Sequence, residues 1–160
     1  MYKTIPTYKN GKWSETKFES IEDFRSFIDS IFKEPGKYNF DKTALLFNEQ
    51  AINFNKNGFY CDKPFRSKDF VEYWNDQKNK CRKGVIYHGK NNTWYITRDY
   101  YMWLNFLPIF DKEEKKYGFA KVRDAQYHMA LYEIMAEINY KHVAILKKRQ
   151  IASSYFHMAK

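Results

Sequence analysis

The chain has 160 residues, 44% apolar and 20% aromatic, with 28 Lys and Arg against 19 Asp and Glu for a net charge of +9. That apolar content excludes a disordered tail, and the length leaves room for about one domain at the roughly 100 to 200 residues a domain usually takes. The positive excess favours polyanions, whether nucleic acid, nucleotide phosphates or an anionic surface.

Residues 1–19 carry Pro6, Gly11 and Trp13 without a clean period, so they read as an extended arm or a short hairpin. From Ser20 the pattern sharpens. Ser20 suits a helix N-cap, and Ile21, Phe24, Ile28 and Ile31 share one helical face before Pro35-Gly36 ends the element. A second helix is predicted after Asp41, with Ala44, Phe47, Ala51 and Phe54 in register, Gly58 at its end, and Asn48, Gln50, Asn55 and Lys56 on a wet face. Ser67 caps a third, in which Phe70, Trp74, Gln77 and Cys81 form the stripe, Lys68, Glu72, Asn75 and Lys83 lie outside, and Gly84 closes it.

Val85 to His88 and Trp94 to Thr97 are short β-type runs around the turn residues Gly89-Lys90-Asn91-Asn92, which predicts a small hairpin. Thr97 then caps a short helix with Tyr100, Trp103, Leu104 and Leu107 inward, stopped by Pro108. A charged exposed loop is expected over residues 111–118. A long helix follows from about Lys121 to Asn139, apolar on two sides and therefore expected between a sheet and the helical N-terminal part. Its stripes are Val122, Ala125, Met129, Tyr132 and Ala136, and Leu131, Ile134, Met135 and Ile138. Val143-Ala144-Ile145-Leu146 is a short apolar run of the kind that makes a buried strand.

Cys61 and Cys81 lack any C-x-x-C spacing or paired histidines, so neither a zinc site nor a disulfide framework is encoded. Both read as reduced thiols, with Cys81 in a core. No apolar run approaches the roughly 20 residues that cross a bilayer, and the start of the chain has no secretory apolar region, so a soluble intracellular protein is expected, with no membrane partner.

The chemistry is expected at Lys147-Lys148-Arg149-Gln150-Ile151-Ala152-Ser153-Ser154. Strand, basic turn, hydroxyls and a helical start make a phosphate-binding order, because loop amides and a helix N-terminus converge on one spot. Against G-x-x-x-x-G-K-[ST], Ser154 takes the hydroxyl place, but Lys147 stands at the first Gly, Ala152 at the second and Ser153 at the Lys. The same residues also fit a basic loop with a helix cap and no ligand. His88, His128, His142 and His157 are dispersed, without an i,i+4 pair, and read as surface or core histidines. Asp99, Asp111, Glu113 and Glu114 read as solvated charge rather than a nuclease site. The aromatics from Trp94 to Trp103 read as packing rather than base stacking.

Over a longer stretch the chain resembles a known family. Phe70-Val71-Glu72-Tyr73-Trp74, Lys80-Cys81-Arg82-Lys83-Gly84-Val85, the run from Trp94 to Ile109, and Ile145 to Tyr155 are similar to the N-terminal part of large terminase subunits of tailed bacteriophages, the ATPases that drive viral DNA into procapsids. The likeness covers roughly residues 65 to 160. Phosphate loops of that family are irregular, and a basic residue early in the loop can replace the usual late Lys, which Lys147 and Arg149 fit. The family also holds adenine with a Gln upstream of the loop, a place that Gln126 matches; the alternative is a Gln that bonds a helix end.

The resemblance implies an α/β fragment: a mainly helical N-terminal region with a small hairpin over residues 1–110, then residues 111–160 as the first strand, P-loop and first-helix start of a P-loop NTPase domain. It implies ATP and Mg²⁺ as cofactors, with Gln126 and Lys147 to Ser154 at the nucleotide and the Ser154 hydroxyl on the metal. Implied partners are double-stranded viral DNA, a portal protein and a small terminase subunit, in a homo-oligomeric ring in the host cytoplasm. No apolar strand ends in paired acids here, so turnover, and concatemer cleavage by a nuclease domain, belong to a longer protein, and this piece alone is expected to be inactive. The rival is a non-enzymatic basic module, either a nucleic-acid binder or a phage structural protein.

Overall fold

Asn10 and Gly11 both hold positive φ, 50° and 78°, the backbone of a two-residue turn whose twist matches a hairpin. They join β1 (Thr4–Lys9) to β2 (Lys12–Lys17) in an antiparallel pair. The computed structural model describes residues 3–40, 43–111 and 115–146, and this hairpin is the start of its sheet. The expectation of a mainly helical N-terminal region is therefore corrected: the first strands lie ahead of every helix.

α1 (Ile21–Ile31) begins at a full capping box. The Asp23 N–H donates to Ser20 Oγ at 3.0 Å and the Ser20 N–H donates to Asp23 Oδ2 at 3.0 Å, which satisfies two orphan donors of the first turn. Phe24, Ile28 and Ile31 are buried as their spacing predicts, whereas Ile21 stays exposed. The single helix expected over residues 44–57 is broken at Asn48 into α2 (Ala44–Phe47) and α3 (Glu49–Asn57). Gln50, expected on the wet face, is buried and accepts the Tyr73 hydroxyl at 2.7 Å.

α4 (Lys68–Lys83) starts where Ser67 Oγ accepts the Phe70 N–H and ends at Gly84. Gly84 holds φ 75°, and a Cβ there would lie 2.5 Å from the Ile96 carbonyl oxygen, so no side chain fits this turn. Cys81 packs at the margin of the core, where burial pushes its thiol up to about 11. β3 (Val85–His88) and β4 (Thr93–Ile96) form the expected antiparallel hairpin. β3 also pairs in parallel with β1, giving a mixed sheet in the order β2-β1-β3-β4.

α5 (Arg98–Phe106) follows, and Pro108 opens β5 (Pro108–Asp111) rather than only stopping the helix. β5 pairs with β6 (Lys116–Phe119), so the loop expected over 111–118 is largely a second, two-stranded sheet. α6 (Asp124–Ile138) closes the described fold.

The register puts Trp13, Tyr8, Tyr87 and Trp94 side by side across all four strands. Phe47 packs on this row, 4.9 Å from Tyr87 and 5.8 Å from Trp94 between ring centroids. At its far end the buried Lys80 ammonium lies 3.7 Å from the Trp13 ring centroid and 2.6 Å from Asp76. The opposite face carries Ile86 and Tyr95, and α1 packs there through Phe24, whose ring meets Tyr95 edge to face at 5.5 Å. Tyr127 of α6 reaches the outer edge of β4, where its hydroxyl accepts the Tyr95 N–H at 3.2 Å. That hydroxyl takes the place of a fifth strand at a buried edge.

At the end of α6 the chain reverses. Tyr140 takes φ 53° and the Lys141 N–H donates to the Ala136 carbonyl at 2.8 Å, a Schellman-type end. The buried strand expected at Val143–Leu146 is not found. Val143 and Ile145 are half-buried, Ala144 and Leu146 are exposed, and none of the four pairs with a strand. The described residues are mixed α/β and do not form a P-loop NTPase fold. None of their helices is long and apolar enough to cross a membrane.

Candidate site at the foot of helix α6

Helix α6 starts without a side-chain cap at Arg123, and its first turn is held from outside. The Asp124 carboxylate accepts the Gly36 N–H and, at 3.0 Å, the Tyr38 N–H, an anion placed where the helix dipole favours one. The Arg123 N–H donates to the Tyr100 hydroxyl at 3.4 Å. Tyr127 is sealed by Tyr38 and Phe40, with ring centroids 4.9 and 5.4 Å away.

This clamping fixes Gln126 between Asp124 and Tyr127. Gln126 is 2% exposed, and its Oε1 has no hydrogen-bond partner among the described residues. An acceptor buried without a partner costs about 1 to 3 kcal/mol, so the carboxamide is held against its own preference. The Gln126 residue lines a cavity of about 140 Å³ together with Trp103, Ile109, Phe119, Lys121 and Arg123. The walls are aromatic and aliphatic, while the Lys121 and Arg123 side chains stand exposed at the mouth. The volume corresponds to about five waters at roughly 30 Å³ each. That is room for one flat heterocycle and too little for the 300 Å³ or more of an enclosed drug-sized ligand.

Other concavities are larger but chemically settled. One of about 350 Å³ is lined by Arg98, Asp99, Glu133 and Glu137, where Arg98 is bound to Glu137 at 2.6 Å and lies 3.6 Å from Asp99. Another of about 370 Å³ is an apolar groove over Trp74, Cys81, Met102 and Phe106. The pushed-up thiol of Cys81 is protonated at neutral pH and a poor nucleophile.

Among the residues expected at the nucleotide, Gln126 is the one that the structure describes, and it lines this cavity. Lys147, Lys148, Arg149, Gln150, Ile151, Ala152, Ser153 and Ser154 lie outside the described residues, as do Glu113, Glu114 and His157. The approach to them is described: Ala144, Ile145 and Leu146 line a shallow cavity with His128, Met129 and Tyr132. The chain therefore runs back along α6 and brings Leu146 beside the half of the helix that carries Gln126. His88 bonds Thr93 Oγ1 at 2.9 Å, and His128 lies between Phe32 and the Tyr38 hydroxyl, 3.1 Å from the latter. Trp103, Lys121 and Arg123 were not marked as site residues by spacing. The available signal was Arg123 at the helix start, three residues before Gln126, with Lys121 ahead of it.

No protein-family model, curated protein or solved structure matches the chain.

Proposed function

We propose that this chain carries the adenine-binding part of an ATPase of the phage large-terminase type, with ATP and Mg²⁺ as its ligands. The observation that carries this reading is Gln126, a buried residue that lines a base-sized cavity and whose Oε1 acceptor has no partner among the described residues. A Gln side chain matches adenine at two points, Oε1 accepting from N6 and Nε2 donating to N7. The cavity takes a base alone, so the ribose and phosphates lie outside it, past the Lys121 and Arg123 cations at the mouth. Ala144, Ile145 and Leu146, which precede the expected phosphate loop in the chain, lie against His128, Met129 and Tyr132 of α6.

In this reading Lys147 and Arg149 contact phosphates, with Lys148 and Gln150 beside them. The amides of Ile151, Ala152, Ser153 and Ser154 line the phosphates, and the Ser154 hydroxyl holds Mg²⁺. Since Val143–Leu146 is not a buried strand in the structure, the phosphate half of the proposal stands on the resemblance of residues 145–155 rather than on geometry. The whole protein would couple hydrolysis to movement of double-stranded viral DNA, dock on a portal, act with a small terminase subunit in a ring, and cut concatemers with a nuclease domain.

The test is calorimetric titration of Mg-ATP and Mg-GTP into the wild-type chain and into Gln126→Leu, which keeps volume and removes both amide atoms. Wild type is expected to prefer ATP. The variant is expected to lose that preference and to bind ATP about tenfold or more weakly, since a two-point base contact is worth about 1 to 3 kcal/mol. Its thermal stability should hold or rise, because an unpartnered acceptor has been removed. Equal ATP affinity in both proteins, or no nucleotide binding by wild type, contradicts the assignment.

A further inference from the structure

The parallel pairing of β1 with β3 brings two turns to the same end of the sheet. Lys9 is the register partner of both Lys12 and His88, so the Asn10-Gly11 turn lies beside the Gly89–Asn92 turn. Lys12 and Lys90 are exposed on these turns, as is Lys9. A third element adds a charge: Lys33, just beyond α1, reaches the second turn, its Nζ 3.4 Å from Asn92 Oδ1. Residues 9–12 and 88–93 contain no Asp or Glu. Glu34, next to Lys33, is engaged with Lys37 at 2.6 Å. One of these charges is felt by a neighbour: partial burial and then the Lys9 charge lower the His88 pKa from its usual range.

We propose that this end of the sheet, Lys9, Lys12, Lys33 and Lys90, binds the phosphate backbone of duplex DNA without reading its sequence. Like charges gathered with no acid among them repel one another and attract a polyanion. The turns are separated by two strand spacings, about 10 Å, so they meet different phosphates rather than crowd on one. Lysines are point charges that suit backbone contacts, and these contacts position a duplex without specifying bases. Trp13, next to Lys12 and 44% exposed, alternates onto the opposite face of the sheet, where the Lys80 ammonium lies 3.7 Å from its ring centroid, so it offers no stacking platform beside these lysines, which favours duplex over single strands. This surface shares no residue with the Gln126 cavity, so the inference goes beyond the nucleotide reading and does not depend on it.

The test is binding of a fluorescent 20-base-pair mixed-sequence duplex across a salt series, by wild type and by the variant Lys9→Gln, Lys12→Gln, Lys33→Gln, Lys90→Gln. The basic run 147–149 is present in both proteins, so the difference isolates the sheet end. With about 0.9 in slope per phosphate contact, the log affinity against log salt plot should become shallower by about 3.6 for four contacts, and affinity at low salt should drop at least tenfold. All four side chains are exposed, and the melting temperature is expected to be unchanged. Should the fourfold variant be destabilised, Lys12→Gln with Lys90→Gln makes the same decision through a slope shallower by about 2. An unchanged slope and affinity, no duplex binding by wild type, or tighter binding to anionic phosphatidylserine vesicles than to duplex each overturns the proposal. Retained ATP preference alongside lost duplex binding would separate this surface from the nucleotide site.

Discussion

Asn105 is completely buried and joins three backbone groups: its Oδ1 accepts the Gln50 N–H at 3.0 Å, and its Nδ2 donates to the Phe47 and Tyr101 carbonyls at 2.8 and 2.9 Å. Two of these partners flank Asn48, where the helix expected over residues 44–57 breaks. The side chain thus serves the donor and acceptor that the break exposes, work that a continuous helix would do for itself. Asn105→Ala should cost about 2 to 4 kcal/mol in urea unfolding, since at least two buried backbone groups lose their partners at about 1 to 3 kcal/mol each. A loss under 1 kcal/mol would mean that the break is held by packing instead. Such a break was not legible in local spacing, because Ala44, Phe47, Ala51 and Phe54 keep a helical period and the interrupting residue lies more than fifty positions away. Gln126 differs: its candidacy was legible through resemblance, while its burial and unpartnered Oε1 depend on Trp103, Ile109 and Phe119, which only the fold brings around it.

Elements whose signals are local were the legible ones. Ser20 with Asp23, Ser67, Gly58 and Gly84 mark helix ends that the structure confirms. The β3–β4 hairpin follows its turn residues. Asn10-Gly11 carried an equally local signal for the first hairpin, but the irregular pattern around it left an extended arm as an alternative. Pairing of β1 with β3 has no local signature at all, since nearly eighty residues separate the partners. The arrangement at the β4 edge is of the same kind. Tyr127→Phe tests that arrangement. Losing the hydroxyl removes the acceptor that Tyr127 gives the buried Tyr95 N–H, so stability should fall by about 1 to 3 kcal/mol and the Tyr95 amide should exchange with solvent markedly faster. An unchanged Tyr95 exchange rate would mean that α6 does not guard this edge.

At the scale of the whole molecule, the sheet and α6 divide two kinds of surface. One end of the sheet gathers lysines from β1, β2, the segment after α1 and the β3–β4 turn, while the start of α6 holds a small cavity with Lys121 and Arg123 at its mouth. A protein of +9 charge would show polyanion affinity from either, so salt-dependent binding alone does not distinguish them; base selectivity does. The most direct measurement is the side-chain NH₂ resonance pair of Gln126 in a ¹H–¹⁵N spectrum, assigned by its absence in Gln126→Leu. The account predicts that adding ATP shifts this pair, that GTP and inorganic triphosphate leave it in place, and that the shift saturates with the same affinity as ATP binding. A pair unmoved by saturating ATP, or moved equally by triphosphate alone, would contradict the assignment of this carboxamide to adenine.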